Sequence, residues 1–266
     1  LVNRLANEDR MIVSDIAGTT IDSVDTYIEY KGRHYNLIDT AGLRRASRRK
    51  DVVEKLSAMK SMDTIPRADV TLIVVDVVEG PTEQDAKILE EVLENGRGVI
   101  LVANKVDIAR ETMDAFRKQF REKVERTFHF FPDVPIAFIS AKTGAGLPQL
   151  FDKIDQVWAK LNIRIPTSQL NQFFTTVIRQ APAPVWGTKN VKFYYLTQTQ
   201  QVPPSFIAFA NHPKGVTPSY RRFLMKRIQE RWDIEGIPVR IYALQKGGPN
   251  TSTKKGAPKK IGTERR

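Results

Sequence analysis

The protein has 266 residues, 41% of them hydrophobic and 27% charged, a balance typical of one or two folded domains and not of a disordered chain. It contains no cysteine, which excludes disulfides, thiolate zinc sites and a cysteine nucleophile and favours a reducing cytoplasm. The charge is uneven, because residues 1–166 carry 25 Lys/Arg and 26 Asp/Glu (net −1), whereas residues 167–266 carry 17 and 4 (net +13). This asymmetry predicts that the C-terminal part binds a polyanion, with a merely solubilising surface as the alternative.

The first 161 residues alternate short apolar runs with longer amphipathic segments, which is typical of helices packed on a mainly parallel sheet. In chain order the pattern predicts a helix over 1–7, a hairpin over 26–30 and 35–39, and a helix over 52–61. Buried strands are predicted over 70–76, 99–104 and 136–140, because these runs are apolar on both faces. The intervening helices are predicted over 83–94, 113–128 and 147–161.

A change of pattern at Pro166 predicts a second domain. From there the order is a helix (168–179), a Pro-rich loop (181–184), strands over 191–197 and 206–210, a helix (219–232) and a strand (239–244). This is a small α+β module. We therefore expect a nucleotide-binding domain over 1–164, a second domain over 165–244, and a basic, disordered tail over 245–266.

The sequence Asn104-Lys105-Val106-Asp107 follows a predicted strand and is the strongest local signal. The Asp107 carboxylate at that place can accept hydrogen bonds from N1–H and the exocyclic amine of guanine, a pair of donors that adenine lacks. A site built for those donors rejects an analogue without them. The pattern predicts a guanine site, and an ordinary exposed turn is the alternative.

Three weaker segments stand at suitable places for the same ligand. Asp39-Thr40-Ala41-Gly42 follows the hairpin, where an Asp can hold Mg²⁺ through water and a glycine N–H can approach a γ-phosphate. Ser140-Ala141-Lys142 follows the last strand and can contact the O6 edge of guanine. Gly18-Thr19-Thr20 precedes the hairpin, where a threonine hydroxyl can complete a Mg²⁺ shell. Each segment alone is also consistent with a plain turn or loop.

In order and spacing, the four segments resemble the guanine-nucleotide-binding domain of translation-factor-like GTPases, which have a P-loop-NTPase-like α/β fold. The resemblance implies GTP or GDP and Mg²⁺ as ligands, with Thr20 and Asp39 at the metal. It implies that residues 39–43, from Asp39 to Leu43, begin switch II and belong to the nucleotide site, and that residues 104–107 and 140–142 bind the base. It also implies switch loops that are ordered by the γ-phosphate.

Two features depart from that pattern. The phosphate loop G-x-x-x-x-G-K-[ST] is absent from the 266 residues, so we expect the natural protein to continue upstream of Leu1 with that loop and a first strand. Leu43 stands where many small GTPases have a water-orienting glutamine, and leucine cannot orient water by hydrogen bonding. The similar GTPases are thought to use K⁺ and the switch I backbone, so no side chain is predicted as a catalytic base.

The C-terminal module combines basic and aromatic residues, as RNA-binding surfaces do. Most of its aromatic residues are predicted to be core. The better candidates for RNA phosphates lie largely off the apolar face of the 219–232 helix: Arg221, Arg222, Lys226 and Arg227.

An α-β-β-α-β module after a GTPase domain is found in Era-type proteins, whose KH domain carries a G-x-x-G loop, and in the Der (EngA) family, whose KH-like domain does not. No G-x-x-G occurs after residue 166, and the stretches 15–20, 39–45, 217–224 and 235–241 are similar to Der. The resemblance covers the chain to about residue 244 and matches the second of two Der GTPase domains plus the KH-like domain.

The Der resemblance implies GTP hydrolysis coupled to assembly of the bacterial large ribosomal subunit, with rRNA as partner and neither DNA nor a membrane. An Era-like single GTPase is one alternative. The other is a non-hydrolysing RNA-binding protein in which a degenerate GTPase domain is a scaffold.

Overall fold

In a computed structural model, the described residues are 1, 4–5, 11–13, 25–38, 65–108 and 112–246. Within the first of these segments, Leu5 is buried and its N–H donates to the carbonyl of Leu1, as in a helical turn. The predicted helix over 52–61 and the predicted tail beyond residue 246 lie outside the described residues.

The first strands form an antiparallel sheet in the order β1-β2-β3, with β1 at Met11–Val13, β2 at Thr26–Tyr30 and β3 at Arg33–Leu37. The predicted hairpin is present, but its second strand begins at residue 33 and not at 35. The reason is the two-residue turn of Lys31 and Gly32, whose φ angles of 52° and 73° suit a tight hairpin.

Three parallel strands form the second sheet, in the order β4-β5-β6: β4 at Val70–Asp76, β5 at Gly98–Asn104 and β6 at Ile136–Ile139. The connecting helices are α1 (Glu83–Glu94), α2 (Met113–Thr127) and α3 (Leu147–Leu161). The central strand β5 is buried along residues 98–103 because it has a neighbour on each side and helices over both faces. The predicted α/β architecture is confirmed.

The C-terminal module begins with α4 (Thr167–Gln180) and ends with a three-stranded sheet in the order β11-β10-β9. Its strands are β9 (Phe193–Gln198), β10 (Ser205–Ala210) and β11 (Arg240–Gln245), and α5 (Pro218–Arg231) precedes β11. A short ribbon of β7 (Val185–Trp186) and β8 (Lys189–Asn190), which the sequence did not predict, lies between α4 and β9.

The two domains share one hydrophobic cluster, which runs from Ile100 on β5 through Ile165 to Phe206 on β10. Polar contacts between the domains reinforce it, since Arg240 donates to the carbonyl of Glu94 at 2.5 Å and the ammonium of Lys160 lies 3.1 Å from Asp233 Oδ2. Removing the C-terminal module would therefore expose part of the core.

Among the helices that the structure describes, none is long and apolar enough to cross a membrane.

The side chain of Tyr35 joins the hairpin of β2 and β3 to α3, and the ionisation of its hydroxyl tests this contact. Its hydroxyl donates to Asp155 at 2.9 Å, and burial followed by that bond raises the pKa of Tyr35 to about 12. The neutral phenol is favoured in the folded state, so its stabilisation is complete below the ordinary pKa of 10.0 and is lost as the pH rises to about 12. We expect ultraviolet titration to show one tyrosine ionising near pH 12, absent from Tyr35→Phe. An identical titration curve for that variant would contradict this assignment.

Candidate functional site

The carboxyl ends of β5 and β6 bring together residues that are far apart in sequence. Asn104 ends β5 and Ser140 directly follows β6, and parallel pairing sets Asn104 opposite Ile139. A short 3₁₀ helix after β5, Val106–Ile108, carries Asp107 toward the same edge. In open α/β sheets, ligands bind at this edge of the strands.

Asp107 and Asn104 each bond to the loop that follows β6. The Ser140 hydroxyl donates to Asp107 Oδ1 at 2.6 Å, and the backbone N–H of Ala141 donates to Asn104 Oδ1 at 2.9 Å. Ser140 is completely buried, whereas Asp107 is exposed. A buried hydroxyl thus holds an exposed carboxylate in one orientation.

The Asp107 carboxylate is held in its ionised form. The hydrogen bond from Ser140 lowers the pKa of Asp107 below its ordinary value of 3.8, and the positive charges of Lys142 and Lys105 act in the same direction. A lowered carboxyl pKa means that the favourable contact is fully present above pH 3.8 and is lost only as the pH falls through the lowered value. At neutral pH the site therefore offers a negative acceptor.

Lys105 has a partner that the sequence analysis did not identify. Its ammonium lies 2.5 Å from Asp76 Oδ2, and the other oxygen of Asp76 accepts from the backbone N–H of Val78 at 2.9 Å. The ammonium lowers the pKa of Asp76, and Asp76 raises the pKa of Lys105. Asp76 ends β4 and lies opposite Asn104 in the parallel pair. An acidic residue at the end of a predicted strand was the sequence signal that could have identified this partner of Lys105.

The loop from Ser140 to α3 is closed by backbone hydrogen bonds. The N–H of Ser140 donates to Ala145 at 2.9 Å, and the N–H of Gly144 donates back to Ser140 at 2.8 Å. Gly146 then starts α3 with φ +78°, and a Cβ there would lie 2.1 Å from the carbonyl oxygen of Phe138. Only glycine fits this close approach to β6, so the loop depends on it.

The arrangement suits a flat ring with two adjacent N–H donors. Oδ1 of Asp107 accepts from Ser140 and has a second lone pair, and the exposed carboxylate offers a second acceptor oxygen, Oδ2. The exposed side chain of Lys105 extends past the same edge toward Asp76, so its aliphatic carbons can cover one face of a base. Val106 is half-buried and packs against the hydrophobic cluster that includes Val75 and Ala103.

The predicted phosphate and metal residues lie outside the described part of the chain. They are Thr20, Asp39, Thr40, Ala41, Gly42 and Leu43. Within the part that is described, no group of three or more His, Asp or Glu side chains could hold a metal ion. The structure therefore describes the base side of the predicted site and not its phosphate side.

The four predicted RNA-binding residues lie on α5 and differ in accessibility. Arg222 and Lys226 are exposed, whereas Arg221 and Arg227 are half-buried. Arg227 pairs with Glu230 at 2.8 Å, and Arg221 Nε is buried without a hydrogen-bond partner. Arg222 and Lys226 are thus the more accessible two of the four predicted residues.

Comparison with known proteins gives matches over most of the chain. A family described as the KH-domain-like C-terminal domain of EngA bacterial GTPase enzymes matches residues 164–243, and one described as a 50S ribosome-binding GTPase matches residues 1–105. GTPase Der of Caldanaerobacter subterraneus subsp. tengcongensis is 41% identical over 247 residues, covering 93% of this chain and 56% of the relative. GTPase Der of Geotalea uraniireducens is 42% identical over 241 residues, covering 91% of this chain and 54% of the relative.

Among solved structures, that of Era in complex with MgGDPNP and nucleotides 1506-1542 of 16S ribosomal RNA aligns with a TM-score of 0.44 and 19% identity. The alignment covers 92% of this chain and 87% of the Era chain. The chain spans a little over half the length of the curated relatives that it matches, at 56% and 54%.

Proposed function

Because the chain belongs to the Der (EngA) family of GTPases, we propose that it binds guanine nucleotide through Asn104, Lys105 and Asp107 and takes part in GTP hydrolysis. The observation that carries the proposal is the exposed, ionised Asp107 carboxylate held at 2.6 Å by the buried Ser140 hydroxyl. Ala141 and Lys142 complete the loop on the O6 side of the base. Leaving such a carboxylate without its two donors is costly, which makes the site selective for guanine.

The phosphate side is proposed from the sequence motifs alone. Thr20 and Asp39 would hold Mg²⁺, and Gly42 would contact the γ-phosphate through its backbone. Mg²⁺ would neutralise charge that develops on the phosphates. Leu43 has no group that can orient water, so we assign no side chain as a base and propose K⁺ as an accessory ion.

The activity is tested by GTP turnover of the protein expressed from its complete gene, with ATP as the control nucleotide. We expect GTP to be hydrolysed and ATP to be ignored. Asp107→Ala should remove nucleotide binding at this site, so the binding that is lost in the variant measures the contribution of this site. If the protein binds RNA but does not prefer GTP to ATP, its GTPase domain would instead be a scaffold that does not hydrolyse nucleotide.

We expect Asp76→Asn to weaken GDP binding at this site about tenfold, because Lys105 would lose the charge that holds it across the base. Asparagine still offers an oxygen to the N–H of Val78, so the turn after β4 is retained. In a Lys105→Met background, Asp76→Asn should have no further effect on the dissociation constant. Equal losses in both backgrounds, measured by isothermal titration, would show that Asp76 does not act through Lys105.

We also propose that the KH-like domain binds rRNA during assembly of the large ribosomal subunit in the cytoplasm. The support is the net charge of +13 over residues 167–266, together with the exposed Arg222 and Lys226 on α5. Because such residues would contact RNA phosphates, we expect the affinity for RNA to fall steeply as the salt concentration rises.

The RNA proposal is tested by filter binding of purified large-subunit rRNA at several salt concentrations. Arg222→Gln with Lys226→Gln should reduce the slope of log affinity against log salt by about 1 to 2. These substitutions are preferable to deleting the domain, because the two domains share a hydrophobic cluster. An unchanged slope would exclude this face of α5 from phosphate contact.

A further inference from the structure

The ribbon formed by β7 and β8 is exposed along its whole length. Every residue from 185 to 190 is exposed, and these include two large apolar side chains. Val185 is 60% exposed and Trp186 is 46% exposed. A tryptophan left at the surface loses the stabilisation that its burial would provide, and exposed apolar groups on a projecting element are typical of binding sites.

The ribbon is held in place at its base. Asn211 donates from Nδ2 to the carbonyl of Asn190 at 3.1 Å and accepts from the N–H of Lys192 at 2.8 Å. Trp186 packs on Gly215, where an added Cβ would lie 2.7 Å from the Cβ of Trp186. The indole is therefore positioned by contact with a glycine on one side, and nearly half of its surface remains accessible to solvent.

Three lysines lie on the ribbon or on segments next to it. Lys189 is in the ribbon, Lys192 follows it, and Lys214 lies on the turn that carries Gly215, and all three are exposed. No carboxylate in the described part of the chain pairs with any of them. Residues 167–229 contain eight Lys/Arg and no Asp or Glu, so the surroundings add positive potential. The complementary ligand is an anion with several phosphates.

We propose that this surface, defined as Val185–Asn190 with Lys192 and Lys214 and called the ribbon surface, binds an unpaired segment of RNA. The lysines contact successive phosphates, and Trp186 stacks on one base. An accessible indole favours single-stranded RNA over a duplex, because the bases of a duplex already stack on one another. The inference rests on the proposed RNA binding and assigns it to a surface separate from Arg222 and Lys226 on α5.

The test measures affinity of the full chain for a 16-nucleotide single-stranded RNA, the matching duplex and purified large-subunit rRNA. Trp186→Ala should weaken binding of the single strand about 5- to 100-fold and leave the duplex nearly unchanged. Trp186→Phe keeps a ring on Gly215 and should restore most of the affinity. Tyr242→Ala removes another exposed aromatic residue, 43% exposed on β11, and should have no effect.

The lysines are tested by salt dependence. Replacing Lys189, Lys192 and Lys214 by Gln should reduce the slope of log affinity against log salt by about 2 on the single strand. Circular dichroism and melting temperature verify that each variant is folded. If ribbon variants bind as the wild type does while Arg222→Gln with Lys226→Gln binds weakly, the inference is overturned and the proposed function stands. If the wild type binds none of the three RNAs, this inference and the proposed rRNA binding are both overturned, whereas the proposed guanine-nucleotide site is unaffected.

Discussion

Asp107→Ala is expected to weaken GDP binding at this site by about 10²- to 10⁴-fold, the largest functional effect of any single substitution described here. Asp107 is an ionised acceptor, and each hydrogen bond to a charged group contributes roughly 10- to 100-fold to an equilibrium constant. Alanine would remove both proposed bonds to the base and would also leave the buried hydroxyl of Ser140 without its acceptor at 2.6 Å. Titration with a fluorescent GDP analogue measures the loss.

The matched control is Asp114→Ala, which removes a carboxylate from the exposed first turn of α2. It makes the same change of net charge away from the base site and should leave the GDP affinity unchanged. A similar loss in both variants would mean that Asp107 acts through overall charge and not through contact with the base.

Gly146→Ala is expected to have the largest effect on stability. The φ of +78° alone costs a non-glycine residue about 1–2 kcal/mol, and the new Cβ would also lie 2.1 Å from the Phe138 carbonyl oxygen. Because that neighbour is backbone, β6 or the start of α3 has to move. We expect a total loss of about 3 kcal/mol or more, which lowers the melting temperature by roughly 6–12 °C. The same shift displaces Ser140 and weakens GDP binding.

Gly32→Ala separates the two causes. Gly32 has a φ of +73° and no atom within 4 Å of an added Cβ, so its substitution tests the backbone conformation alone. We expect a loss of about 1–2 kcal/mol and no change in GDP affinity. Equal melting temperatures for the two variants would contradict the role of the contact between Gly146 and Phe138.

Segments whose structure is determined locally were predicted with little error. The helix over 83–94 was predicted at its observed bounds from its amphipathic pattern, and the structure shows a capping box of Thr82 and Asp85 at its start. The helix over 147–161 follows Gly146 and has proline near its first turn, two signals that are visible in sequence. The buried strand β5 was predicted because it is apolar on both faces.

What the sequence did not predict depends on contacts between distant residues. The ribbon of β7 and β8 has two residues a strand, too few for a periodic pattern, and Trp186 is positioned by Gly215 on another loop. The pair of Asp76 and Lys105 forms only when β4 and β5 align side by side. The contact of Gly236 with the carbonyl oxygen of Asp133, where a Cβ would lie at 2.4 Å, joins the two domains and has no local signal.

The central claim is that one carboxylate selects guanine, and a panel of nucleotides tests it most directly. Inosine lacks the exocyclic amine of guanine, and xanthine has a carbonyl oxygen in its place. For the wild type we predict that GDP binds roughly 10- to 100-fold more tightly than IDP, and that XDP and ADP bind weakly. Asp107→Asn turns one acceptor oxygen into a donor, so its preference should change from GDP to XDP. Equal affinity of the wild type for GDP and ADP, or an unchanged order of preference in Asp107→Asn, would contradict the account.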